Sequence, residues 1–144
     1  MLAAITQVLN QDSDTQVDVC MTSEMARRIE LWTAMYEDNA PWVDRKKVKS
    51  AQLPAAIASE VARLVTLEMK SEITGGSSAT YLNDQYQKKV LTSIRRYMEY
   101  GCAKGGLILK PYVTKTGLAI QYVQADCFFP LAFDDSGQIQ QCVF

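Results

Sequence analysis

The hydrophobic period of this chain changes once, across Gly101-Cys102-Ala103-Lys104-Gly105-Gly106, and that change restricts the fold more than any other feature. Before it, Leu82, Tyr86, Val90, Ile94 and Met98 recur at strict four-residue intervals, widened by Leu91 and Tyr97, as on one helical face. After it, Leu107-Ile108-Leu109 and residues 118–123 read as extended runs. Helices first and strands second is the order of an α+β fold, because a parallel βαβ unit would alternate them. Gly105-Gly106 are expected to supply the positive φ that reverses the chain, and Gly101 to ease helix packing.

Three amphipathic helices are predicted. The first covers about 23–38, capped by Thr22 or Ser23, with Met25, Ile29, Trp32 and Tyr36 on one face. Asn39-Ala40-Pro41 stops it, and Trp42 is expected to plug the edge of a core. The second covers 54–73, opening on Pro54. It carries a wide apolar face of Ile57, Val61, Leu64, Val65, Leu67, Met69 and Ile73, with Ala55, Ala56, Ala58 and Ala62 allowing close packing. Glu68, near that stripe, is expected at a rim, paired with a cation. Gly75-Gly76-Ser77-Ser78 links to the third helix, 79–100, whose Lys88, Lys89, Arg95 and Arg96 form a solvated flank. An antiparallel β-meander follows: a strand from Leu107 with Pro111 at an edge or bulge, a turn at 114–117, the return at 118–123, a strand to Phe133, an Asp134-Asp135-Ser136-Gly137 turn, and a last strand from Ile139. The division is an N-terminal arm (1–22), a helical part (23–103) and the meander (104–144), with 23–144 one domain. The arm carries a short amphipathic turn at Leu2, Ile5, Val8 and Leu9. Because the last apolar run is still open at Phe144, the expectation is a piece of a longer protein, cut within a strand.

The glycine stretch invites a phosphate-binding reading, which the element order opposes. A P-loop or a dinucleotide fingerprint runs from strand to helix, placing the anion at a helix N-terminus. Here the glycines follow a helix, whose C-terminal end repels anions, and no Lys-Ser/Thr follows. Lys104 is accordingly expected to matter little to folding. The chain has no histidine, so Ser-His and Cys-His pairs and His-ligated metals are excluded. Cys20, Cys102, Cys127 and Cys142 lack the C-x-x-C spacing of a zinc or redox site and read as reduced, partly buried thiols. Asp134-Asp135 belongs to a turn, and Asp126 shows no partner in the sequence. No catalytic, cofactor-binding or metal-binding residue is assigned, and the expectation is a protein that is not an enzyme. A net charge of −1 argues against a general grip on nucleic acid, leaving Arg45-Lys46-Lys47 with Lys49 as a small basic patch. There is no signal peptide and no apolar run long enough to span a bilayer, so no membrane association is expected.

Four segments in order, Asn39-Ala40-Pro41-Trp42, LPAAIASEVARLVTLEMKSEITG (53–75), YMEYGCAKGGLILKPYV (97–113) and VQADCFFPLAFDDSGQI (123–139), give the chain a resemblance to a known group. It resembles the N-terminal wing region of tailed-bacteriophage portal proteins, most of all those of siphophages and prophages of Gram-positive hosts, over about 23–144. The resemblance implies a structural component of the head–tail connector vertex, a closed ring of about twelve copies through which DNA is packaged and ejected without sequence-specific binding. It implies contacts with terminase, capsid and head–tail adaptor proteins, mostly through regions beyond these residues. It places the protein in the host bacterial cytoplasm during assembly and then at the virion portal vertex. The alternatives are another phage minor capsid or connector protein and, more remotely, a small histidine-free hydrolase or transferase.

Overall fold

The computed structural model describes residues 6–7, 10, 18–44, 46–47, 50–115 and 117–144. The apolar turn of the arm, Arg45 and Lys49 of the basic patch, and Thr116 of the first hairpin lie outside them. The fold is α+β: helices α1 (Ser23–Tyr36), α2 (Leu53–Leu67), α3 (Ala79–Tyr86) and α4 (Ile94–Lys104), then strands β1 (Leu107–Thr114), β2 (Gly117–Gln124), β3 (Phe129–Phe133) and β4 (Ile139–Val143).

Thr22 caps α1, its hydroxyl accepting from the Met25 N–H at 3.2 Å. The helix ends at Glu37, and Asp38 turns into the left-handed region with φ 56°. Ile29 and Ala40 are buried, whereas Trp42 is 66% exposed and plugs nothing. That corrects the expectation for this tryptophan: Pro41 carries it past the core rather than into it.

The predicted third helix is divided. A repeat of four residues exceeds the 3.6 of an α-helix, so a stripe at that spacing drifts around a straight helix. The chain absorbs the difference in a π-helical turn, Gln87–Leu91, between α3 and α4. As a result Val90 and Ile94 are both buried, while Leu82 at the start of the stripe stays exposed. Residues 68–73, expected as the last turns of the second helix, are irregular. There the Ile73 N–H donates to Asn83 Oδ1 at 3.1 Å and Gln87 Nε2 to the Ser71 carbonyl at 3.0 Å, so side chains from α3 and the π turn replace helical partners.

The strands form two hairpins instead of one meander. β1 and β2 pair antiparallel from Leu107↔Gln124 to Thr114↔Gly117, and β3 pairs with β4 from Phe129↔Val143 to Phe133↔Ile139, with an irregularity at Ala132. The sheets share no ladder because a 3₁₀ turn, Ala125–Cys127, redirects the chain between them. Side chains join them instead: the Phe144 ring packs on Phe128 and under the Lys110 ammonium, 4.2 Å from its centroid. In the second hairpin turn, Asp134 Oδ1 accepts from the N–H groups of Ser136 and Gln138, and Gly137 takes φ 76°. Ahead of α1, Cys20 is fastened to β3, its N–H donating to the Pro130 carbonyl at 2.7 Å.

Candidate functional site

Two surfaces stand out, and α2 provides the first. It packs chiefly on α4 and lightly on α1. The residues it turns inward are small: Ala58 and Ala62 are buried, with Ala55, Ser59 and Thr66 beside them. Its large aliphatics point out, with Leu53, Ile57, Val61, Leu64, Val65 and Leu67 each keeping 41–63% of their surface exposed. At 100° per residue these six span about half the helix circumference and run its full length. The sequence pattern invites the large face inward and leaves the alanines as fillers; the fold inverts that assignment. The charges of α2 are Glu60 and Arg63, which neutralise each other through two hydrogen bonds at 2.6 and 2.8 Å. The Arg63 guanidinium, by hydrogen bonding first and by charge second, holds the Glu60 carboxyl below the usual carboxylate range. Beside the exposed stripe runs a mainly apolar groove of about 430 Å³ between α1, α2 and α4, where Trp32, Met35, Ile57, Val61 and Ala103 meet.

The second surface is a polar cleft of about 520 Å³ on the sheet side of α4, lined by Tyr36, Tyr100, Lys104, Tyr122 and Asp126 among others. Two of its ionisable groups, Lys104 and Asp126, are paired with each other. Lys104, 6% exposed, donates to Asp126 Oδ2 at 2.7 Å. The Tyr36 hydroxyl donates to Glu99 Oε1 at 2.8 Å, and its ring meets Tyr100 edge-on with centroids 5.7 Å apart. Burial first, then that hydrogen bond to a carboxylate, push the Tyr36 phenol well above the ordinary tyrosine range. Tyr97 and Tyr122 stack with centroids 3.8 Å apart, and the Tyr122 hydroxyl donates to the carbonyls of Lys89 and Val90. These pairings lock α1, α4 and the first hairpin together.

The glycine junction belongs to the same lock. Gly105 is the left-handed C-cap of α4, with φ 86°, and its N–H donates to the Gly101 carbonyl at 2.9 Å. It supplies the positive φ without Gly106. Gly101 lets β1 approach α4: a Cβ there would lie 3.1 Å from that of Leu107. Lys104 is not a spectator. Its partner Asp126 lies 22 residues away, in the 3₁₀ turn after β2, and only folding brings the two together.

Other sequence-selected residues fall elsewhere. Glu68 is exposed at the C-cap of α2, with no ion-pair partner among the described residues. Lys88 pairs with Asp84 at 2.7 Å, Lys89 donates to the Leu118 carbonyl, and Arg95 and Arg96 are exposed. All four cysteines are free thiols, and three of them (Cys20, Cys102 and Cys127) are exposed, more than expected. Among the described residues, no group of three or more Cys, Asp or Glu is placed to hold a metal ion. No helix among them is long and apolar enough to cross a membrane. No family model, curated protein or solved structure matches the chain.

Proposed function

We propose that this chain is a structural assembly module of the tailed-phage portal type, the wing-like part of a head–tail connector, and not an enzyme. The observation that carries the reading is α2, a helix with its small residues packed inward and its large aliphatics outward. Contiguous apolar surface of that extent marks an interaction site. The four segments that carry the family resemblance cover the turn after α1, all of α2, the α4-to-β1 glycine junction, and the run from β2 into the second hairpin. The near-neutral charge suits a conduit that must release its DNA.

The test is to express the full reading frame that carries this chain and measure its mass by light scattering, with negative-stain imaging. A ring of about a dozen copies around a central channel is expected, the closed cyclic assembly such a role requires. A full-length protein that stays monomeric under assembly conditions would overturn the proposal.

A further inference from the structure

We infer that the outward face of α2 is a contact surface between copies of this chain, an inference that rests on the assembly reading and names its surface and partner. Size is the first argument. The six exposed aliphatics present on the order of 600 Å², approaching the roughly 800 Å² that each partner buries in a standard interface, and the adjoining groove extends the patch. Charge is the second. A face that docks on another copy of the chain must not repel it, and α2 carries only Glu60 and Arg63, already paired with each other. Burying the stripe against a second copy therefore opposes no uncompensated like charges. A membrane surface would instead select a helix rich in Lys and Arg on its polar face, which α2 lacks. Geometry is the third. Ridge and groove lie side by side on one surface and share Ile57 and Val61, so the α2 of one copy can seat beside that of the next.

Sedimentation velocity on the 144-residue chain tests this, with Ile57→Asp/Leu64→Asp as the disrupting variant and Val113→Ala, on β1, as an exposed substitution off the face. The wild-type chain should associate reversibly, its average mass rising across roughly 5–200 µM, because area of this size yields modest affinity once association entropy is met. The double variant should associate at least about tenfold more weakly, while its far-ultraviolet spectrum and urea midpoint stay native and Val113→Ala behaves as wild type. A chain that stays monomeric throughout, or whose association the double variant leaves unchanged, overturns the inference. The full reading frame separates this result from the portal reading. Rings that survive the double variant sink the α2 contact and keep the portal. Self-association of the chain lost in the double variant, with no ring from the full frame, keeps the α2 contact and sinks the portal.

Discussion

Lys104 and Asp126 should respond unequally to loss of their partner, and the inequality follows from solvent access. The Lys104 side chain is 7% exposed and that of Asp126 30%, and the two atoms that meet are 2.7 Å apart. Removing one partner of a fully buried pair costs about 3–5 kcal/mol, because it strands the other charge away from water. Asp126→Ala strands the ammonium in the more buried position and should cost about 3 kcal/mol, near the low end of that range. Lys104→Met keeps the apolar stem and strands a side chain that is 30% exposed although its Oδ1 is buried, so a smaller loss of about 1–2 kcal/mol is expected. Asp126 Oδ1 already lacks a partner, so that variant orphans only one further oxygen. Urea unfolding followed by circular dichroism measures both, and about 3 kcal/mol moves the midpoint by roughly 1–2 M at the m-values of small domains. In Lys104→Met/Asp126→Ala the second substitution should add little, giving a coupling of about 1–2 kcal/mol. A larger loss for Lys104→Met than for Asp126→Ala, or strictly additive losses, would refute the account.

Gly105→Ala should destabilise by about 2–3 kcal/mol, since it combines a positive φ with a methyl group 3.1 Å from Trp32 Cζ3. Gly137→Ala shares the positive φ but meets nothing within 4 Å, so its loss should stay near 1 kcal/mol, and equal losses would remove the Trp32 contact from the argument. Tyr36 makes an alkaline prediction. Its folded pKa is raised, so the unfolded chain releases that proton first, and the stability tied to it is complete below the ordinary value of 10.0 and declines as pH rises through the folded pKa. Ultraviolet titration should show Tyr36 and Tyr122, both raised by burial, as late phenols among the seven tyrosines, and Tyr36→Phe should remove one of the two and lessen the alkaline loss of stability; an unchanged titration curve would contradict the assignment.

Most of the fold is written locally. The change of period at Gly101–Gly106 gives the order of helices and strands, Thr22 and Asp38 bound α1, and Asp134 with Gly137 specifies the second hairpin turn. Element ends are less legible, because they depend on partners distant in sequence. Residues 68–73 keep a helical pattern, yet Asn83 and Gln87 take over their backbone groups. The four-residue repeat announces one helix, but only the π turn at Gln87–Leu91 reconciles that repeat with α-helical geometry. The lock in the polar cleft was hidden for the same reason. Tyr36–Glu99 and Lys104–Asp126 join residues 63 and 22 positions apart, and no spacing rule reaches so far.

The candidate interface was concealed differently, because both its faces were visible and the choice between them was not. Ala55, Ala58 and Ala62 form a complete helical stripe, as do Ile57, Val61 and Leu64 opposite them. Hydrophobicity alone sends the larger set inward, at about 1.5–3 kcal/mol for each such side chain fully buried. The fold buries the alanines instead, which lets α2 approach α4 closely. Six aliphatics left about half exposed withhold on the order of 5–10 kcal/mol of burial, as much as the whole stability of a typical domain. A sequence that wanted only a stable monomer would gain by placing polar residues there, since the outer face then contributes nothing to folding and invites aggregation. Keeping Leu53, Ile57, Val61, Leu64, Val65 and Leu67 outward makes sense when another surface covers them, and the neutral Glu60–Arg63 pair sets no net charge against it.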